Sequence, residues 1–231
     1  FPIVGIGASA GGLEAFKNFL QALPADSGLA FVLTQHLDPT HESMMVDLLA
    51  KHTAMPVLQA EDGMSVRPDH VYMIPPNRYL HIHDRCLQLT EPRERRGTRV
   101  VIDTFLRSLA KDQQERAVGI VLTGTGSDGA AGIREIKAQG GLTLAQEPAT
   151  AAHDSMPRSA IGTDAVDIVC PIAEMPAALA QYARHPYVNG HGAGAPMAAD
   201  NQDSLESVLE LLRRHHKTDF RHYKRPTLIR R

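Results

Sequence analysis

Long apolar runs are missing from this chain: none of its 231 residues sits in a stretch near the roughly 18 that a membrane-spanning helix needs. No signal peptide precedes the first strand-like segment, so no membrane insertion is expected. Cysteine is scarce, with Cys86 and Cys170 alone, each inside a strand-like apolar run. That usage excludes a disulfide framework and predicts buried free thiols in a reducing, cytoplasmic setting. An excess of charge of one sign is nearly absent as well. The net of −2 supplies no whole-chain attraction to nucleic acid or to acidic surfaces. No Cys, His, Asp and Glu cluster shows ligand spacing; His81-x-His83 puts two imidazoles on one strand face without a third partner, so no metal is expected. An initiator Met is missing too, and the chain opens at Phe1 inside a core element, which predicts a piece of something longer.

What is present suffices for a substantial core. An apolar fraction of 43% over this length fits one large domain with an appendage, or two small ones. Residues 1–185 alternate strand-like and helix-like patterns, which predicts an α/β fold with a mostly parallel sheet. Three short strands at 70–74, 79–83 and 86–90, parted by Pro75-Pro76-Asn77-Arg78 and Asp84-Arg85, predict an inserted β-meander. A helix is expected over 42–52, and strands over 142–145 and 166–169. Residues 186–203 are rich in Gly and Ala and aperiodic, which marks a linker. Ser204 then reads as an N-cap for an amphipathic helix carrying Leu205, Val208, Leu209 and Leu212, the start of a further domain over 204–231. The basic residues beyond it have few interleaved aromatics, so a solvated or partner-facing helix is expected there in preference to a nucleic-acid surface.

The opening stretch carries the chemistry. Ile3-Val4-Gly5-Ile6-Gly7-Ala8-Ser9-Ala10-Gly11-Gly12 is a strand running into a glycine turn and a helix start. Gly7-x-Ser9-x-Gly11 has the spacing of a nucleophile elbow, in which a sharp turn exposes the serine. The same letters fit a relaxed dinucleotide fingerprint, Gly5-x-Gly7-x-x-Ala10. That fingerprint requires an acid at the end of the second strand. Here the strand at 29–34 ends in Gln35-His36, and an imidazole suits a serine nucleophile better than a ribose. A second strand and glycine turn follow at 117–129, ending in Asp128. If these strands run parallel, Ser9, His36 and Asp128 stand on turns at one sheet edge, a triad in the order Ser, His, Asp. The order Ser, Asp, His would instead need a late histidine, His153 or His185.

Five motifs in order make the resemblance specific: Gly7-Ala8-Ser9-Ala10-Gly11-Gly12, Gln35-His36-Leu37, Ala60-Glu61-Asp62-Gly63, Leu122 through Gly129, and Met156-Pro157-Arg158. Residues 1–185 resemble the catalytic domain of the bacterial chemotaxis receptor methylesterase, the CheB family. The resemblance implies a doubly wound α/β domain, helices on both faces, that hydrolyses glutamate methyl esters on the cytoplasmic helices of chemoreceptors and in some members deamidates glutamine. It implies Ser9 as nucleophile, His36 as base and then acid, and Asp128 as orienting carboxylate. Ala10, Gly11, Gly124, Thr125 and Gly126 would form the turns that line the site and hold the oxyanion. Two positions depart from the family pattern, Ala10 standing where Thr is usual and Thr125 where Met is usual. Because the donor at Thr125 would be a backbone amide, both changes read as tuning. Residues 209–231 resemble the opening of the chemoreceptor methyltransferase family, which implies a fused second enzyme with its methyl-donor site further on, and no cofactor within this chain. The other readings of the first domain are a docking module that keeps the fold without turnover, and a dinucleotide-binding domain.

Overall fold

The computed structural model describes residues 1–35, 44–92 and 100–183. His36, His185, the linker at 186–203 and the extension at 204–231 lie outside the described residues. The strands are β1 (Ile3–Ala8), β2 (Ala30–Gln35), β3 (Val57–Gln59), β4 (Val71–Met73), β5 (Tyr79–His83), β6 (Cys86–Thr90), β7 (Ala117–Val121), β8 (Leu142–Gln146) and β9 (Ile168–Cys170). The helices are α1 (Gly12–Ala22), α2 (Met45–Ala50), α3 (Val101–Gln113), α4 (Ala130–Ala138), α5 (Ser155–Ile161) and α6 (Met175–Ala183).

Seven strands form one sheet in the order β3-β4-β2-β1-β7-β8-β9, and each pairing in it is parallel. A sheet of this kind must be covered on both faces, which is why β1 is buried at every position. Its two faces do different work. On one, Gly5 and Gly7 leave room for α3: a Cβ on Gly5 would stand 2.7 Å from Leu106 Cδ2, and one on Gly7 would collide with Ile102. On the other, Val4 lies level with Phe31 of β2, whose ring meets the edge of Phe19 from α1 at 5.9 Å. Helices α1 and α3 therefore sandwich the central strand. The chain runs from β1 to β2 on one side and later returns to β7 on the other. This reversal leaves a crevice beyond the carboxyl ends of β1 and β7, the place where open α/β sheets bind ligands.

The expected meander is corrected by the structure. Val71–Met73 joins the main sheet between β2 and β3, and of the three expected strands β5 and β6 pair antiparallel, as a hairpin. The reason is burial. Val71, Tyr72 and Met73 are all shut off from solvent, whereas β5 alternates, with Leu80 and Ile82 inward and His83 outward. A strand buried on both sides belongs in a covered sheet; an alternating one suits a hairpin laid on a helix. The hairpin turn, Asp84-Arg85, has φ of 49° and 59°, and the Asp112 carboxylate of α3 accepts both of its amide N–H groups. Smaller corrections follow. The helix expected over 42–52 is described as Met45–Ala50, the strand expected at 166–169 falls at Ile168–Cys170, and β3 has no counterpart among the expected elements. Both thiols are free, but Cys86 is only partly buried. Among the described residues no helix is long and apolar enough to cross a membrane.

Candidate active site

Two turns meet at the crevice. The first follows β1 and holds Ser9; Gly11, at φ 77°, occupies the N-cap position of α1, and no side chain caps that helix. Ser9 therefore does not serve as the helix cap that its position would suggest. Its carbonyl accepts the Gly12 amide at 2.8 Å and the Gln35 side-chain amide at 3.3 Å. The second turn follows β7. The β1–β7 ladder continues past both strands, with Leu122 N donating to Gly7 O and Ser9 N donating to Thr123 O at 3.0 Å. That places Ser9 beside Gly124, whose missing Cβ would stand 3.0 Å from Ser9 Cβ.

The second turn is braced from behind. Thr123 N donates to Gln146 Oε1 at 2.9 Å, and Gly124 N donates to His153 O at 2.9 Å. Ser155 of α5 donates its hydroxyl to Gly126 O at 3.2 Å, and Ser159, one helical turn on, lies at the same distance from that carbonyl while its proton goes to the nearer Ser155 O at 2.8 Å. The Gly124 amide is thus committed to the fold. Among the described residues, the amides of Ala10, Thr125 and Gly126 donate to no protein acceptor. Thr125 and Gly126 are exposed at the rim, so their N–H groups can reach a ligand.

Asp128 is buried, and its carboxylate faces the first turn of α3. Oδ2 accepts Ile102 N at 3.0 Å and Oδ1 accepts Asp103 N at 2.9 Å. Asp103 returns the favour to the other helix, Oδ1 accepting Gly132 N of α4 at 2.7 Å. Each helix start is thereby capped by an acid from the other, and the orientation of Asp128 is fixed by two amides.

Of the residues expected at the site, Ser9 and Gly124 stand side by side and Asp128 is turned to the start of α3; the position of His36 lies outside the described residues. The competing His153 enters through its backbone, bonded to Thr123 and Gly124, and its side chain is exposed. At the rim, the hydrogen bond from Arg158 lowers the pKa of Asp154. His81 points across the hairpin to Thr90 Oγ1 at 3.2 Å, and burial lowers its pKa. His83, Asp84 and Asp112 bring potential ligand atoms within 4.8 Å of one another, a grouping that spacing did not show. Asp112 is already occupied by the two turn amides and by Gln113 Nε2.

Sequence reasoning missed Thr123, Gln146 and Gln35. Each is a polar residue at or just past the carboxyl end of a buried strand, and that was the available signal. A groove of about 510 Å³ opens beside the first turn, lined by Gly11, Glu14, Thr123, Gln146, Thr150 and Ala152 among others.

Comparison with known proteins adds the family context. The family model described as CheB methylesterase matches residues 4–179. A protein-glutamate methylesterase/protein-glutamine glutaminase of Photorhabdus laumondii is 40% identical over 177 residues, which cover 75% of this chain and 50% of that protein. A protein of the same name, numbered 1, from Geobacter metallireducens is 37% identical over 178 residues, 75% of this chain and 49% of that protein. The chain thus spans about half the length of these curated relatives. The crystal structure of the Thermotoga maritima CheB methylesterase catalytic domain aligns with a TM-score of 0.73 at 28% identity, over 78% of this chain and 97% of that one.

Proposed function

We propose a function from one premise: this chain belongs to the CheB methylesterase family. It hydrolyses methyl esters of glutamate side chains on chemoreceptor proteins, and the same site deamidates glutamine, the pair of activities for which its relatives are named. The Ser9 hydroxyl attacks the ester carbonyl while His36 takes its proton. The oxyanion that forms is held by the uncommitted amides of Ala10 and Thr125. Collapse of the intermediate expels methoxide, which leaves as methanol with the proton from His36. Water then attacks the acyl-enzyme through the same base, freeing the glutamate carboxylate and Ser9. Asp128 orients the imidazole. A carboxylate has about four acceptor sites, so the two α3 amides leave Asp128 capacity for a ring N–H.

The observation that carries this reading is the seating of Ser9 against Gly124 at the ends of neighbouring parallel strands, with free amides on both turns. It is tested by methanol release from a methyl-esterified receptor fragment, comparing the parent with Ser9→Ala and His36→Ala. Release by the parent and its loss in both variants is the expected result. Absence of release from folded parent protein across several receptors would overturn it and favour a docking module. The same proposal takes 204–231 as the opening of a methyltransferase-type domain, supported by its sequence resemblance. Transfer of a labelled methyl group by the longer chain is its test.

A further inference from the structure

We infer that Thr123 is a positioning residue for the nucleophile, acting through its hydroxyl; this rests on the esterase reading above. Thr123 is buried, and its polar groups tie the turn after β1, the turn after β7 and the segment before α5. Its carbonyl accepts Ser9 N at 3.0 Å, and its amide is held by Gln146 Oε1 at 2.9 Å. The hydroxyl accepts His153 N at 2.8 Å and faces two carbonyls, Ala10 O at 3.0 Å and His153 O at 3.2 Å. A hydroxyl has one proton to give. With His153 N already donating to it, that proton goes to the nearer carbonyl, Ala10 O.

The geometry has a consequence for catalysis. The peptide joining Ala10 to Gly11 has its carbonyl anchored by Thr123, which sets the tilt of the nucleophile turn as a whole. His153 O is in turn the acceptor for Gly124 N, so one hydroxyl lies between the two turns that supply oxyanion donors. Ser9 N is spent on Thr123 O and is not a donor to substrate. Thr123 thus holds Ser9 N through its carbonyl and Ala10 O through its hydroxyl, and these two bonds bracket the Ser9–Ala10 peptide whose N–H faces the oxyanion in the proposed mechanism. Without the hydroxyl the Ala10 carbonyl loses its anchor while Ser9 N and Ser9 O keep theirs, and the attack geometry loosens while the outer substrate contacts stay in place.

The test uses the chain as it exists, with Thr123→Val, Thr123→Ser and Ser9→Ala, and reads kcat and KM separately on a methyl-esterified receptor fragment. Val keeps the shape and removes the hydroxyl; Ser keeps the hydroxyl and removes the methyl group, which lies beside Gly11. The expected result is a fall of about 10²-fold in kcat for Val with KM moved by less than about threefold, and near-parental kcat for Ser. A packing role predicts the reverse ranking, with Ser the worse variant. If Val does not fold, the Ser variant decides: near-parental kcat sustains the inference and a deep loss overturns it. A folded Val variant within about threefold of the parent overturns the inference, while an active parent and inactive Ser9→Ala leave the esterase reading intact. A parent that releases no methanol overturns both.

Discussion

At the scale of single residues, the site depends on the absence of side-chain atoms as much as on hydroxyls and carboxylates. Gly124 lies between Ser9 and the fully buried Met156, and a Cβ there would collide with Met156 Sδ while pressing on Ser9 Cβ. The chain has nowhere to yield, because Gly124 N and O are both bonded, to His153 O and Met156 N. Gly124→Ala is therefore an overpacking change, expected to lower stability by about 1–3 kcal/mol in urea unfolding and to reduce esterase activity together with it. Met156→Ala alone opens a cavity and is expected to cost about 2–5 kcal/mol. Because the added methyl group enters the space that the thioether vacates, the double variant should be more stable than the sum of the two losses, and additive losses would remove this account. The serine and the glycines around it were legible from sequence, since an elbow turn places its demands on adjacent residues. Thr123 was not. Its partners Ala10 and His153 lie 113 and 30 residues away, and only the folded sheet brings them to one hydroxyl.

Among the elements, α3 and α4 each take the cap of their first turn from an acid outside their own N-cap, and the proposed mechanism gives one of these acids a second task. Neither helix has a side-chain cap from its own N-cap residue; Asp128 supplies the cap for α3 and Asp103 the cap for α4. Asp128 stands one residue before the N-cap of α4, yet the amides it meets belong to α3. The two roles can be separated. Asp103→Ala removes one cap from α4 and is expected to cost about 0.5–2 kcal/mol in urea unfolding with kcat little changed. Asp128→Ala removes two bonds from α3 and, on the proposed mechanism, the carboxylate that orients the base, so stability and kcat should both fall. Equal losses of kcat in the two variants would show that helix docking, and not the carboxylate at 128, controls turnover. The misassigned β4 follows a similar logic. Val71–Met73 is too short to display a period, and its membership of the parallel sheet is set by burial on both faces, which adjacent letters do not encode. The β5–β6 hairpin was legible because its alternation and its Asp84-Arg85 turn are local.

For the molecule as a whole, the groups whose titration shapes stability are spread over the fold: His81 on the hairpin, Tyr72 in β4, Cys170 at the end of β9 and Asp154 just before α5. On the acid side, burial lowers the pKa of His81 from its ordinary 6.5. The unfolded chain then binds a proton that the folded one refuses, so this contribution is complete above about pH 6.5 and is lost as pH falls toward the folded value. Asp154, lowered from 3.8 by Arg158, loses its contribution in the same direction but only at stronger acidity. On the alkaline side, burial together with Glu174 and Glu147 raises Cys170 above its ordinary 9.0. Here the folded chain keeps a proton that the unfolded one gives up, and stability falls as pH rises through that region. Tyr72, raised from 10.0 by burial, adds to the same limb further out. The Phe1 ammonium, lowered from 8.0 by burial, adds to the acid limb from about pH 8 downward, so stability is expected to be greatest between about pH 8 and 9 and to decline on both sides. Melting temperatures of the parent, His81→Gln and Cys170→Ala across this range check it. His81→Gln should flatten the limb just below pH 6.5 and leave the alkaline limb alone, and Cys170→Ala should do the converse. The variants are compared by slope, since each also shifts the absolute level through packing. Parallel acid limbs in the parent and His81→Gln would place the proton uptake on other groups and remove His81 from the account.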